Sequence, residues 1–231
     1  MDCVAAPSPN FDERPKDTPI DILLMHYTGM ETGAGAVARL CDPAARVSSH
    51  YTVDEDGTIF QHVPEECRAW HAGVSYWAGA RDINARSIGI EIVNPGHEFG
   101  YRSFPDVQIA AVIHLAKEIA ARHSIPDARV LGHSDVAPAR KTDPGELFPW
   151  GTLALAGVGL WPQTRKHKLK VSFEDGLRAF GYGLRPDMDV ATSTVIEAFQ
   201  RHFRPSKIDG IADEECERIL AALLAEVDSG H

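Results

Sequence analysis

The run Ile22-Leu23-Leu24-Met25-His26-Tyr27-Thr28 places four apolar residues in succession before a histidine. Such a run predicts a short buried strand, and the glycines at 29, 33 and 35 predict a loop directly after it. An imidazole at a strand's end, beside a loop, is well placed to hold a metal ion or move a proton. His26 therefore poses the question for the remainder of the chain, which must supply its partners.

Two stretches further on can do so. Arg129-Val130-Leu131-Gly132-His133 is a second short apolar strand ending on a histidine. Asp143 follows, on a Pro144-Gly145 turn that can fold back toward the strand ends. If the two strands are neighbours in one sheet, His26, His133 and Asp143 reach the same rim. Two imidazoles and one carboxylate make a catalytic zinc ligand set, with a fourth position open to water. No HExxH spacing fixes that set, and a chain with 11 histidines also allows chance alignment. Ile88-Gly89-Ile90-Glu91-Ile92-Val93 alternates with period two, so the isoleucines share one face and Glu91 lies on the other. Two accounts of that charge stay open. Either it is solvated on an edge strand, or it projects into a cleft where lost water raises its pKa toward that of a general base.

Around these strands the chain divides into an arm, a large domain, a linker and a small domain. Residues 1–19 hold four prolines and few apolar side chains, which predicts an extended, mobile N-terminal arm. In the large domain, 20–162, residues 34–41 read as a short helix. Residues 49–53 and 58–63 read as a hairpin closed by Asp54-Glu55-Asp56-Gly57. Ser103 and Pro105 read as the start of a helix whose stripe is Ile109, Val112, Ala116 and Ile119. Residues 149–162 read as a closing loop. The linker, 163–170, carries a basic cluster of Lys166, His167, Lys168 and Lys170 that reads as solvated. Residues 171–231 hold three amphipathic helices, about 172–180, 190–203 and 213–227, expected to bury one another's stripes as a small separate bundle.

Composition limits the partners. The net charge of −10 excludes a surface built for nucleic acid, because phosphate binding needs a basic face. No apolar run approaches the length of a transmembrane segment. The four cysteines are too widely spaced for a CxxC site and read as thiols. The first residues lack a basic, then apolar leader, which favours a cytoplasmic location over the periplasm or cell envelope.

Six stretches then occur in one order: His26-Tyr27-Thr28, Ser49-His50-Tyr51, Trp70-His71-Ala72-Gly73, Ser87-Ile88-Gly89-Ile90-Glu91, Gly132-His133-Ser134-Asp135 and Arg140-Lys141-Thr142-Asp143-Pro144-Gly145. In this the chain resembles the zinc N-acetylmuramoyl-L-alanine amidases of the AmpD/AmiD type, whose fold is shared with peptidoglycan recognition proteins. The resemblance spans about 19–162. Residues 170–227 resemble, less specifically, the helical peptidoglycan-binding domain that follows the amidase in the AmiD branch. It implies an α/β fold, with a central mixed β-sheet flanked by helices and a small all-α three-helix domain after it. It also implies Zn2+ on His26, His133 and Asp143, water activation by Glu91, and oxyanion stabilisation by Lys141. His50, Trp70, His71 and Asn94 match positions in or beside the substrate cleft. Where the AmpD branch often carries an arginine that grips the stem peptide, this chain has Asp82, and Arg86 or Arg81 is expected to substitute.

The implied substrate is peptidoglycan or a muropeptide, cut between muramic acid (ordinary or anhydro) and L-alanine. The alternative is a non-catalytic peptidoglycan-recognition module, which keeps the fold and commonly loses a ligand. The helical domain favours an envelope role, against the missing leader. It also predicts that removing 166–231 spares cleavage of soluble muropeptides and weakens action on intact wall.

Overall fold

The computed structural model describes residues 3–162, 167–184 and 187–229. In chain order the elements are β1 Val4–Ala5, β2 Phe11–Glu13, β3 Ile22–Tyr27, α1 Gly33–Cys41, β4 Tyr51–Val53, β5 Ile59–Gln61, β6 Cys67–Ala69, α2 Ile83–Arg86 and β7 Ser87–Ile92. Then come α3 Gly96–Phe99, α4 Asp106–His123, β8 Val130–Gly132, α5 His133–Val136, α6 Trp150–Leu155, α7 Phe173–Phe180, α8 Thr192–Phe203 and α9 Glu214–Ser229.

A mixed sheet runs in the order β1-β5-β4-β7-β3-β8. β3 lies between β7 and β8 and is parallel to both. β4 and β5 form the expected antiparallel hairpin, and β4 joins β7 in parallel. β7 is therefore central, which removes the edge-strand account of Glu91.

The period-two alternation decides what covers each face. Leu23 and Met25 of β3, with Ile88, Ile90 and Ile92 of β7, face the stripe Ile109, Val112, Ala116 and Ile119 of α4. Ile22, Leu24 and Leu131 face the other way. The same parity carries His26 and Glu91, which are register partners, onto that second face at the strands' C-terminal ends. The apolar part of this face is covered, and its C-terminal end opens as a cleft.

Four features differ from the sequence reading. In the described part of the arm, residues 3–19, β1 pairs with β5 and β2 pairs with β6. Arg14 adds a clamp, donating to the carbonyls of Glu65, Asn84, Ala85 and Ser87. Backbone pairing and buried polar side chains, rather than apolar ones, fasten this arm, so hydrophobicity gave no sign of it. Helix α4 begins after Pro105 with no side-chain cap, so Ser103 does not cap it. The segment 149–162 contains α6, whose Trp150 and Leu153 are buried. Finally, the C-terminal helices do not form a bundle closed on itself. Phe173, Leu177, Phe199 and Leu220 share one apolar cluster with Ile22, Leu24, Trp77 and Val136. Their stripes are wide enough to meet one another and the sheet together.

Ser172 caps α7, accepting from the Asp175 amide at 3.1 Å. Neither Asp189 nor Thr192 caps α8, which starts after Ala191 without a side-chain cap. The first four linker residues, 163–166, with Lys166 of the basic cluster among them, lie outside the described residues. No disulfide joins the cysteines among the described residues, and no helix there is long and apolar enough to cross a membrane.

Candidate metal centre and catalytic cleft

The strand ends deliver His26 and His133 side by side. The turn after α5 returns Asp143 to them, and its carbonyl accepts from the Ser134 amide at 2.9 Å. His26 Nδ1 lies 2.9 Å from His133 Nδ1, and Asp143 Oδ2 lies 3.0 Å from each. All three residues are buried.

The protons in this cluster can be assigned from its outermost acceptor inward. Ser87 Oγ donates to the Ile83 carbonyl at 2.7 Å, so toward His71 Nε2, 3.3 Å away, it only accepts. Burial, reinforced by the neighbouring His26 and His50, holds His71 well below the ordinary histidine value. His71 is therefore neutral near pH 7, with its single proton on Nε2, and its Nδ1 accepts. His26 Nε2 donates to it at 3.0 Å. Burial, then the neighbouring His133, lowers His26 to about 4, so His26 Nδ1 carries a bare lone pair. A neutral His133 ring that donates from Nε2 to the Ala72 carbonyl, 3.0 Å away, has a bare Nδ1 as well. Burial alone would raise the Asp143 carboxyl, but the two imidazoles outweigh it and hold that group far below the usual carboxylate range. Two lone pairs and an anionic oxygen thus converge within about a hydrogen-bond length. Such acceptors repel one another unless a cation sits among them. Nitrogen and carboxylate donors with oriented outer partners suit a divalent transition metal.

Local sequence explains the supports. Gly89 lacks the Cβ that would stand 2.6 Å from His71 Nδ1, so the His71 ring can lie against β7. Asn84 Oδ1 accepts from the amides of His71 and Ala72, fixing the loop that carries both outer partners.

Beside this cluster opens a cleft of about 390 Å3, lined among others by Glu91, Lys141, Trp70, Arg39 and Arg140. Glu91 Oε2 is buried with no hydrogen-bond partner among the described residues. Burial, then the nearby Asp143 charge, raises the Glu91 pKa well above 4.5, while Lys141 opposes the rise.

A family model described as N-acetylmuramoyl-L-alanine amidase matches residues 16–146. The chain belongs to that family. AmiD of Escherichia coli is 40% identical over 230 residues, covering 89% of this chain and 82% of AmiD. The solved complex of AmiD with the substrate anhydro-N-acetylmuramic acid-L-Ala-D-γ-Glu-L-Lys superposes with a TM-score of 0.80 at 37% identity, covering 94% of this chain and 98% of that one. AmpDh3 of Pseudomonas aeruginosa, solved with an anhydromuramic pentapeptide, gives 0.82 at 34% identity, covering 93% and 96%. AmpD of Haemophilus influenzae, 34% identical, covers only 64% of this chain but 89% of its own length.

Within this amidase the structure brings His26, His133, Asp143, Glu91 and Lys141 together, with Trp70 on the cleft wall. The Trp70 indole donates to Asp12 at 2.7 Å. The other residues expected at the substrate are divided between the cleft and its surroundings. His71 borders the cleft but also holds His26. His50 is fully buried, accepting from the Gly89 amide at 3.0 Å. Asn94 is buried and ties its own loop to the Arg102 carbonyl and the Gly96 amide. Arg86 sits at the far, N-terminal end of β7, paired with Asp21. Arg81 pairs with Asp187. Strand polarity explains the Arg86 difference, because the residue before a parallel strand lies opposite the end that carries the ligands. Besides Lys141, the cationic residues lining the cleft are Arg39 and Arg140. Arg140 stood inside a quoted motif, but Arg39 on α1 had no sequence signal beyond its charge. Trp77 is buried against Phe180 and Tyr182, away from the cleft.

Proposed function

We propose that this amidase is zinc-dependent and cuts the amide joining N-acetylmuramic acid, or its anhydro form, to L-alanine. The observation that carries this reading is the triangle of ligand atoms on His26, His133 and Asp143 beside Glu91, whose buried Oε2 has no hydrogen-bond partner among the described residues. Zinc held by those three residues supplies a Lewis acid that polarises a carbonyl and lowers the pKa of water to about 7. Glu91 accepts a proton from the attacking water and returns it to the leaving nitrogen of L-alanine. The raised pKa of Glu91 suits both halves of that transfer. The Lys141 ammonium balances charge that builds on the carbonyl oxygen. His71 and the Ala72 carbonyl keep the ligand rings in their working tautomers. Residues 20–162 carry this chemistry, and the helices of 171–231 support them.

The substrate class is supported by AmiD and AmpDh3, both solved with anhydromuramoyl peptides. Their stem peptides carry carboxylates, and Arg39 and Arg140 give an acidic protein a cationic cleft wall to receive them. The alternative of a non-catalytic recognition module loses ground because no ligand, base or cleft lysine is missing here. Glu91→Gln tests the mechanism. The variant is expected to keep stoichiometric zinc and to lose about 10²–10⁴ in kcat, the usual worth of general acid–base catalysis. Undiminished cleavage would sink the role of Glu91.

A further inference from the structure

Asp135 is 1% exposed, two residues past the ligand His133, and it is not one of the residues that line the cleft. Its oxygens are held from three directions. Oδ2 accepts from the Gly132 amide at 2.7 Å and from His202 Nδ1 at 2.7 Å. Oδ1 accepts from the Tyr182 hydroxyl at 2.6 Å. Gly132 belongs to β8 and directly precedes the ligand. His202 and Tyr182 belong to the C-terminal region, on α8 and just after α7.

The surroundings lock this arrangement. The His202 ring is 3% exposed at its side chain and stacks on Trp150, centroids 3.8 Å apart and planes at 19°. Trp150 in turn packs against Gly132, where an added Cβ would lie 3.3 Å from the indole and 2.8 Å from Pro144. Thus α8 and α6 press on the one residue whose backbone aims His133.

From this we infer that His202 and Tyr182 are positioning residues for the metal centre. The C-terminal helices reach through Asp135 to fix the direction of the His133 imidazole. The inference rests on the metal reading above and extends it to a part of the chain that contributes no ligand. When either donor is lost, Asp135 can rotate in its socket and release the Gly132 amide. His133 Nδ1 then leaves the triangle it forms with His26 and Asp143. Outer partners of metal ligands typically change affinity by about 10- to 100-fold.

The experiment measures zinc affinity by competition with a chromogenic chelator, alongside the unfolding temperature of the metal-free protein. Tyr182→Phe removes one hydroxyl, and His202→Phe keeps the stack on Trp150 but removes the donor. Each is expected to weaken zinc binding by about tenfold or more. His202→Asn, which can place an amide donor near the lost Nδ1, is expected to recover most of the affinity. Leu220→Ala, in the apolar cluster of the same helices, is expected to lower the unfolding temperature without changing zinc affinity. If Tyr182→Phe and His202→Phe lower only the unfolding temperature, as Leu220→Ala does, the positioning role is overturned and the contacts are structural. Loss of zinc affinity equally in Leu220→Ala would overturn it too. If the unaltered chain binds no zinc, the metal reading falls and this inference falls with it.

Discussion

Glu91 works as a base only when ionised. Burial first, and the Asp143 charge second, hold its pKa well above 4.5. Activity is therefore full above that raised value and lost as pH falls through it. The acid limb of kcat/KM is expected above pH 4.5, and Glu91→Gln should flatten it; a limb at or below 4.5 would argue against Glu91. A cation beside Asp143 offsets the second cause and leaves the first. Arg39 belongs to the same scale. It is exposed on the cleft wall, so Arg39→Ala is expected to raise KM for an anionic stem peptide by about fivefold, with kcat little changed. An unchanged KM would remove Arg39 from substrate binding. His26, His133 and Glu91 were legible in the sequence because apolar runs fix where a strand ends and which way its residues alternate. Arg86 was misread because its match carried no statement of which strand end it occupied. The His71 relay was hidden because a chain of donors depends on tautomers, which sequence does not encode.

Helix α4 shows how one carboxylate joins elements. Glu65, in the loop before β6, accepts from Tyr51 of β4 and from Arg122 and His123 at the end of α4, all within 2.7 Å. Burial would raise its pKa, but these hydrogen bonds outweigh it and hold the group at about 2. A depressed acid contributes stability that is present above its unfolded value and lost as pH falls through the folded one. Glu65→Gln is therefore expected to cost about 2 kcal/mol at pH 7, with the gap to the unaltered protein closing as pH falls from about 4.5 toward 2. Denaturant titrations at several pH values measure this, and a gap that does not change with pH would contradict it. His123 closes α4, and pattern alone could not supply its partner 58 residues away.

At the scale of the whole molecule, the C-terminal helices are part of the amidase core. Removing them uncovers Ile22, Leu24, Trp77, Leu131 and Val136 and strips Asp135 of two donors. A chain lacking 166–231 is therefore expected to lose cleavage of soluble muropeptides as well as of intact wall, where the sequence suggests that soluble cleavage is spared. Full activity on soluble muropeptides would contradict the shared core. Amphipathic stripes showed that these helices bury one face but did not say against what. A signal was present in His202, a polar residue three positions after Phe199 along an otherwise apolar stripe.

The central claim is a metal-dependent cut at one amide, and mass spectrometry of products from a defined anhydromuramoyl peptide tests it most directly. With zinc, the account predicts two products, the intact amino sugar and a peptide with a free L-alanine amine. It also predicts that a chelator abolishes both and that added zinc restores them. Cleavage that persists in chelator, a cut at another bond, or stoichiometric binding without product would contradict it.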